Sequence, residues 1–103
     1  MRQSRDDFTA IFCSDDLMAF GAMQAIREKG MKVPDDYSIV GFDDMYFSSI
    51  SSPQLTTVAQ PVKEMATQAF KSIKEELRKN PPGEKKHHFL DTRLVVRESC
   101  RKL

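Results

Sequence analysis

The sequence predicts an α/β fold in which helices flank a parallel β-sheet. Short apolar runs rich in β-branched and aromatic residues alternate with two segments of helical periodicity, in the order β-α-β-loop-β-α-β. The chain has 103 residues, of which 40% are hydrophobic and 30% are charged. These values fit one globular domain and argue against general disorder, and no apolar run approaches the ~20 residues of a membrane span.

The first half of the chain predicts a strand, a helix and a second strand. Phe8–Cys13 is apolar and rich in β-branched and aromatic residues, which predicts a buried strand. Ser14-Asp15-Asp16 offers three candidate N-caps for a helix from about residue 16 to 29, and Gly30 stands where a left-handed residue ends a helix. Tyr37–Phe42 is a second apolar run, typical of a sheet covered on both faces.

The first helix has an unusually wide apolar surface. On a helical wheel Ala22 lies at the centre of an apolar arc, whereas Leu17 and Phe20 fall outside it. The arc around Ala22 is completed by Met18, Ala19, Met23, Ala25 and Ile26. Two accounts remain open: the first turn is wedged into its own domain, or it forms a second surface that contacts a partner subunit.

The second half predicts a loop, a short strand, a long helix and a last strand. Met45–Pro53 is an irregular loop, and Leu55–Val58 is a brief strand-like segment. Pro61 begins a strongly amphipathic helix, which Asn80-Pro-Pro-Gly83 ends. His87–Glu98 predicts a last strand or strand pair.

The apolar stripe of this long helix, from Val62 to Leu77, requires a cover. Leaving it in water would forfeit on the order of 10–20 kcal/mol. The cover can come from the chain's own strands, from helix exchange with a second copy, or from a separate chain. We expect four residues of the stripe to be buried, with part of the cover supplied by another chain: Met65, Ala69, Phe70 and Ile73.

Charge and cysteine content narrow the function classes. The formal net charge of +1 gives no reason to expect nucleic-acid binding by this chain. The C-terminal third is basic, which indicates a solvated helix face or, alternatively, a phosphate-binding surface. Two cysteines are too few for a disulfide scaffold, and the N-terminal residues lack the apolar stretch of a signal peptide. The expectation is a cytoplasmic protein with reduced thiols.

Two acidic pairs, Asp15-Asp16 and Asp43-Asp44, directly follow the first two predicted strands. If these strands are neighbours, both pairs share one edge of the sheet, where ligands of open α/β sheets bind. Carboxylates there can bind a cation, perform acid–base chemistry or accept hydrogen bonds from a polyhydroxylated ligand. The structural alternative is helix capping and turn formation.

Other chemistry has little support in the sequence. No serine, histidine or cysteine lies in a recognisable nucleophile motif, and no glycine-rich phosphate loop is present. His87-His88 has no histidine or cysteine partner at zinc spacing. We therefore predict no catalytic residue, no metal and no cofactor.

Four segments carry a family resemblance, in the same order along the chain. Ala10–Ile26, Gly30–Asp44, Pro53–Pro61 and Leu94–Ser99 are similar to consecutive segments late in the ligand-binding domain of LacI-type sugar-responsive repressors. Each segment alone is a weak signal, but together they cover nearly the whole chain.

The resemblance implies that residues 1–103 are part of an effector-binding domain with a periplasmic-binding-protein-like (type I) two-lobe fold. Residues 8–60 and 86–99 would belong to the second lobe, and the helix at 61–80 to the first. Leu55–Gln60 would be the last crossover between the lobes. The DNA-binding helix-turn-helix, the hinge and most of the first lobe are absent from this sequence.

The resemblance also implies roles for individual residues. Asp15 matches a position, often Asn, that contacts effector hydroxyls, and Asp43 matches an acidic position that accepts hydrogen bonds from sugar hydroxyls. Gln60 matches a polar crossover position near the ligand. The implied dimer interface includes Phe20 of the first helix and the loop residues Tyr46 and Phe47.

The implied function is the effector-binding portion of a transcriptional repressor and not an enzyme. A sugar or related small molecule would control DNA binding allosterically, through a headpiece missing from this chain, in a cytoplasmic homodimer with no membrane partner. One alternative is a periplasmic sugar-binding protein of the same fold. A remote alternative is an enzyme in which the four acids of the two pairs hold a metal ion.

Overall fold

The computed structural model describes residues 7–79, 83 and 87–103. The predicted helix end at Asn80-Pro-Pro-Gly83 falls largely outside the described residues, as do residues 1–6 of the N-terminal segment. The chain forms two compact units, one comprising Met1–Ala59 with Arg93–Leu103 and the other comprising Gln60–Thr92.

The first unit contains a four-stranded, mostly parallel sheet in the order β1-β2-β3-β4. Its strands are Ala10–Phe12 (β1), Ser38–Phe42 (β2), Thr56–Ala59 (β3) and Arg93–Val95 (β4). The pairs β1–β2 and β2–β3 are parallel, as predicted. The last strand differs from the expected parallel arrangement: β4 is antiparallel to β3, since Thr57 pairs with Val95 and Ala59 with Arg93.

Helix α1, Asp16–Glu28, connects β1 to β2 and packs against β2. It ends as predicted, with Lys29 as C-cap and Gly30 at a φ of 76°, a left-handed conformation that glycine adopts without a Cβ clash. The expected centre of the apolar arc is wrong. The buried face consists of Asp16, Ala19, Met23 and Ile26, whereas Met18 is 62% exposed.

The core of the first unit lies between α1 and the sheet. Ala19 of α1, Ile39 of β2 and Leu55 before β3 are each 0% exposed. The expectation that the first strand is buried is wrong, because Phe12 is 67% exposed. The physical reason is that β1 is an edge strand with β2 as its one neighbour in the described sheet.

The predicted irregular loop after β2 contains a short 3₁₀ helix, Tyr46–Ser49. Ser48 of this helix is fully buried, and its carbonyl oxygen accepts a hydrogen bond of 2.9 Å from the backbone N–H of Leu55. The segment Asp43–Ile50, here called the rim loop, is thereby tied to the start of β3.

The second unit contains helix α2, Val62–Leu77, in which no residue is buried. The expected burial of Met65, Ala69, Phe70 and Ile73 is wrong for this chain, since all four are exposed, Phe70 to 68%. Helix α2 is the single regular element described in its unit, so the unit offers the stripe no sheet on which to pack. Among the described residues, neither helix has the length and apolarity needed to cross a membrane.

Candidate functional site

Asp15 and Asp43 lie beyond the carboxyl ends of two adjacent parallel strands. Phe12 of β1 is paired with Val40 of β2, and each acidic residue follows three positions after its strand residue. The two strands are therefore neighbours, as the sequence argument required. We call this edge of the sheet, with Asp15 and Asp43, the rim; it is where open α/β sheets bind ligands.

Asp15 is the N-cap of α1. Its backbone is extended, and its Oδ1 accepts a hydrogen bond of 2.8 Å from the backbone N–H of Met18. This bond satisfies a donor that the first helical turn leaves without an intrahelical partner. The capping role weighed from the sequence is thus present, and it uses one of the two carboxylate oxygens.

Asp43 has a strained backbone. Its φ of 118° lies in a region that residues with a Cβ rarely adopt, and Asp44 follows with a φ of 55°. The backbone N–H of Asp43 donates a hydrogen bond of 2.9 Å to the carbonyl oxygen of Val58 in β3. Such strain persists only where the surrounding structure compensates it, and non-glycine residues at these angles cluster at functional sites, ligand sites among them. Asp43 itself is exposed at the rim.

Asp44 is held by Arg97. The two side chains form an ion pair of 2.7 Å and are 22% and 15% exposed, respectively. The guanidinium of Arg97 also donates a hydrogen bond of 2.9 Å to the carbonyl oxygen of Leu55. Because Arg97 spans both groups, it fixes the turn after β2 against the start of β3.

The fully buried carboxylate of Asp16 is the centre of a hydrogen-bond cluster. Its Oδ1 accepts from the hydroxyl of Thr57 at 2.6 Å. Its Oδ2 accepts from the backbone N–H of Met45 at 2.7 Å and from the hydroxyl of Ser48 at 2.5 Å. Each donor is thus directed at a charge, which makes the bonds stronger than those between neutral groups. Asp16 therefore binds the rim loop to α1.

These contacts weaken the hypothesis that the four acids of the two pairs hold a metal ion. Asp16 and Asp44, two of its four proposed ligands, are engaged by protein donors. Among the described residues, no group of three or more histidines, cysteines or acids is placed to hold a metal ion. Asp16 and Asp44 are instead structural residues whose carboxylates are bonded to protein donors, and Asp15 and Asp43 are the two acids at the rim.

Cys13 lies between β1 and the N-cap Asp15. It is 7% exposed, and its backbone N–H donates a hydrogen bond of 2.8 Å to the carbonyl oxygen of Val40. Burial raises the pKa of the Cys13 thiol above its ordinary value of 9.0, and the negative charge of Asp15 raises it further. Both effects disfavour the thiolate form of Cys13.

The remaining predicted residues are the ligand candidate Gln60 and the interface candidates Phe20, Tyr46 and Phe47. Gln60 is the first residue of the second unit and directly follows β3. Phe20 is half-buried and packs edge-on against Phe47, with ring centroids 5.2 Å apart and planes at 82°. Phe47 and Tyr46 remain 55% and 79% exposed.

The roles of Asp16, Arg97 and Gly41 were not predicted. A Cβ on Gly41 would overlap Oδ1 of Asp16 and lie 2.9 Å from Cδ2 of Leu55, so glycine is required for α1 to approach β2 this closely. Glycine inside an otherwise apolar strand is the signal that could have indicated a close approach.

The fold is α/β with a mostly parallel sheet, and proteins with such open sheets bind ligands beyond the carboxyl ends of their strands. Comparison with known families identifies the family: residues 2–100 match the family model described as "Periplasmic binding protein-like domain". The chain belongs to this family, as the resemblance of its four segments implied.

The relatives are LacI-type transcriptional regulators. The chain is 46% identical over 98 residues to the HTH-type transcriptional regulator MalR of Clostridium butyricum, covering 95% of this chain and 29% of MalR. A LacI family transcriptional regulator from Enterococcus faecalis V583, solved with bound ribose, superposes with a TM-score of 0.84 at 32% identity. That match covers 93% of this chain and 36% of that structure.

A complex of the transcriptional regulator CelR with cellobiose gives a TM-score of 0.82 at 32% identity, covering 90% of this chain and 28% of that structure. The chain thus spans under a third of the length of MalR and of CelR. The residues that match the family model, 2–100, include both rim residues.

Proposed function

We propose that this chain is the effector-binding portion of a LacI-type transcriptional repressor and that its effector is a sugar or related polyhydroxylated molecule. The observation that carries the proposal is the placement of Asp15 and Asp43 beyond neighbouring parallel strands. The bound ribose and cellobiose of two similar regulators support the same ligand class.

The chemistry of the rim suits a sugar. A carboxylate accepts hydrogen bonds from two vicinal hydroxyls at once, and each bond to a charged acceptor contributes about 1.5–3 kcal/mol. Asp15 retains an oxygen beyond the one that caps α1, and Asp43 is exposed. Gln60 joins them as a ligand residue on the strength of the resemblance, because an amide both donates to and accepts from hydroxyls.

Transcription control is favoured over the alternatives. The relatives are named as transcriptional regulators rather than as enzymes or transport proteins. Engagement of Asp16 and Asp44 by protein donors also weakens the case for a metal-dependent enzyme. The proposal locates the protein in the cytoplasm and assigns DNA binding to a separate headpiece.

The exposed stripe of α2 supports assigning residues 61–80 to the first lobe of the two-lobe fold, with 8–60 and 86–99 in the second. A helix with Phe70 and Leu77 exposed to 68% and 82% is suited to packing on elements outside this chain. In the whole regulator, a sugar that binds one arrangement of the lobes more tightly would shift their equilibrium and so change DNA affinity.

Self-association is the second part of the proposal. Tyr46, Phe47 and Ile50 of the rim loop, with Leu17 of α1, expose large apolar side chains, from 55% to 79%. Phe47 also contacts Phe20 of α1, and exposed apolar patches on a protein surface mark interaction sites. We assign this face, together with Phe20, to a homodimer interface.

The sugar role is tested by titrating the chain, within the longer regulator that the proposal requires, with ribose, cellobiose and other sugars in a calorimeter. Asp43→Ala should weaken the Kd for the bound sugar about tenfold or more, since it removes charged acceptors. Its melting temperature should change little.

The matched control is Asp35→Ala. Asp35 is an exposed acid three residues before β2, so the variant removes the same charge at the opposite end of the same strand. Its sugar affinity should equal that of the wild type. A large loss of stability in Asp43→Ala with sugar affinity intact would assign Asp43 to the turn and refute the ligand role.

The self-association role is tested by sedimentation. Tyr46→Asp introduces a charge at a side chain that is 79% exposed, so the fold should tolerate it while the dimer weakens. Phe20→Asp should also shift the protein toward monomer, since burial of one aromatic contributes roughly 1.5–3 kcal/mol. An unchanged oligomer for both variants at all concentrations would contradict the proposed interface.

A further inference from the structure

One buried side chain connects the two surfaces of the proposed function. The Oδ2 atom of Asp16 accepts from the backbone of Met45, two residues after Asp43, and from Ser48, directly after Tyr46 and Phe47. The same rim loop therefore presents a ligand residue at its beginning and an interface segment at its end.

Asp16 is held closely on both of its carboxylate oxygens. Its exposure is 0%, and its three donors lie at 2.5–2.7 Å. A buried carboxylate that loses a donor has no water to replace it, so the loss is large and the remaining contacts must readjust. The Thr57 hydroxyl fixes the other oxygen on β3, which anchors the cluster to the sheet.

A second contact reinforces the same connection. Phe20, four residues after Asp16 on α1, packs edge-on against Phe47 at a centroid distance of 5.2 Å. Helix α1 thus holds the rim loop at two points, through a polar contact and an aromatic one.

We propose that Asp16 is a positioning residue that joins the sugar-binding rim to the self-association surface. It contacts neither the sugar nor the second copy. It holds the rim loop so that Asp43 reaches the ligand while Tyr46 and Phe47 face the partner. This inference rests on the proposed function for the identity of the two surfaces.

The test is Asp16→Asn in the same longer regulator. Asparagine keeps the size of aspartate, but its NH₂ group cannot accept a hydrogen bond and would face a donor. Both sugar affinity and dimer affinity should fall about tenfold or more, because charge-assisted bonds that shape both surfaces are lost. Exchange of the Met45 amide hydrogen should accelerate by about tenfold or more as well.

Two further variants separate positioning from general stability. Ser48→Ala removes one donor from the cluster and should weaken both affinities about threefold or more. Ile26→Ala truncates a core side chain in the last turn of α1, away from the cluster. It should lower the melting temperature and leave both dissociation constants unchanged below that temperature.

The outcomes distinguish a positioning role of Asp16 from a purely structural one, and both from a failure of the proposed function. If Asp16→Asn lowers the melting temperature but keeps both dissociation constants within about twofold of wild type, Asp16 is purely structural and the inference is refuted. If the wild type binds no sugar at all, the proposed function fails instead. Asp16 is then judged on dimer affinity and Met45 exchange, and unchanged values of both refute its positioning role.

Discussion

Gly41 of β2 offers the sharpest test of how α1 is placed on the sheet. In Gly41→Ala, the new Cβ would overlap Oδ1 of Asp16 and approach Cδ2 of Leu55 to 2.9 Å and Cα of Asp16 to 3.3 Å. One of these neighbours is backbone and another is a fully buried carboxylate. None of the three is the flexible end of an exposed side chain, so relief requires α1 to move away from β2.

The magnitude follows from two contributions. Overpacking of a filled site costs typically about 1–3 kcal/mol. Displacing Oδ1 also weakens its hydrogen bond from Thr57, and a bond to a charged group contributes about 1.5–3 kcal/mol. The free energy of unfolding should therefore fall by about 2.5–6 kcal/mol, a large part of the 5–15 kcal/mol typical of a domain.

Urea denaturation followed by circular dichroism measures this change. Gly21→Ala is the matched control, because Gly21 lies within α1 and a Cβ there would meet no atom within 4 Å. Alanine in a helix interior should stabilise the protein by about 0.5–1 kcal/mol relative to glycine. The same glycine-to-alanine substitution should therefore lower the free energy of unfolding at position 41 and raise it at position 21. A Gly41→Ala variant within about 0.5 kcal/mol of wild type would refute the close-approach explanation.

Two further predictions follow from the site. Arg97→Met should lower the free energy of unfolding by about 2 kcal/mol, because it removes the bonds to Asp44 and to the Leu55 carbonyl oxygen. The control Arg93→Met, at an exposed position of β4, should change the free energy of unfolding by less than about 0.5 kcal/mol. Equal effects of the two variants in urea denaturation would contradict this prediction. The pKa of Cys13 is raised in the folded state. The contribution of this thiol to the free energy of unfolding is therefore full below its unfolded pKa and is lost as the pH rises through its folded pKa. Wild type should therefore lose more stability than Cys13→Ala between about pH 8 and 10, and parallel stability curves over that range would contradict the assignment.

The order of elements was predictable because each segment carries its own local signal. Alternating apolar runs and helical periodicity gave both helices and the first three strands to within a few residues, and Gly30 ends α1 as expected. The direction of β4 was not predictable in this way. A three-residue strand carries no sequence mark of whether its partner runs parallel or antiparallel.

The burial errors have one physical origin. A wheel or an apolar run indicates which residues favour burial, but burial also requires a neighbouring element. Phe12 lies on an edge strand, and Met18 lies in the first turn of α1 away from the sheet, so both remain exposed in this chain. Asp16 shows the converse error: a charged residue is rarely expected in a core, yet three donors supplied by distant segments make its burial favourable.

The stripe of α2 is a further case of apolar side chains without a neighbouring element among the described residues. Full burial of large apolar side chains such as Phe70, Ile73 and Leu77 contributes about 1.5–3 kcal/mol each, and in this chain they are 61–82% exposed. Most of that stabilisation is therefore unrealised in the chain as it stands. The first unit has the converse character, with a closed core around Ile39 and Leu55 and a satisfied polar cluster around Asp16. The first unit thus completes its core within the described residues, whereas the stripe of α2 stays uncovered; the proposed assignment of this helix to another lobe would give the stripe the neighbouring element that its burial requires.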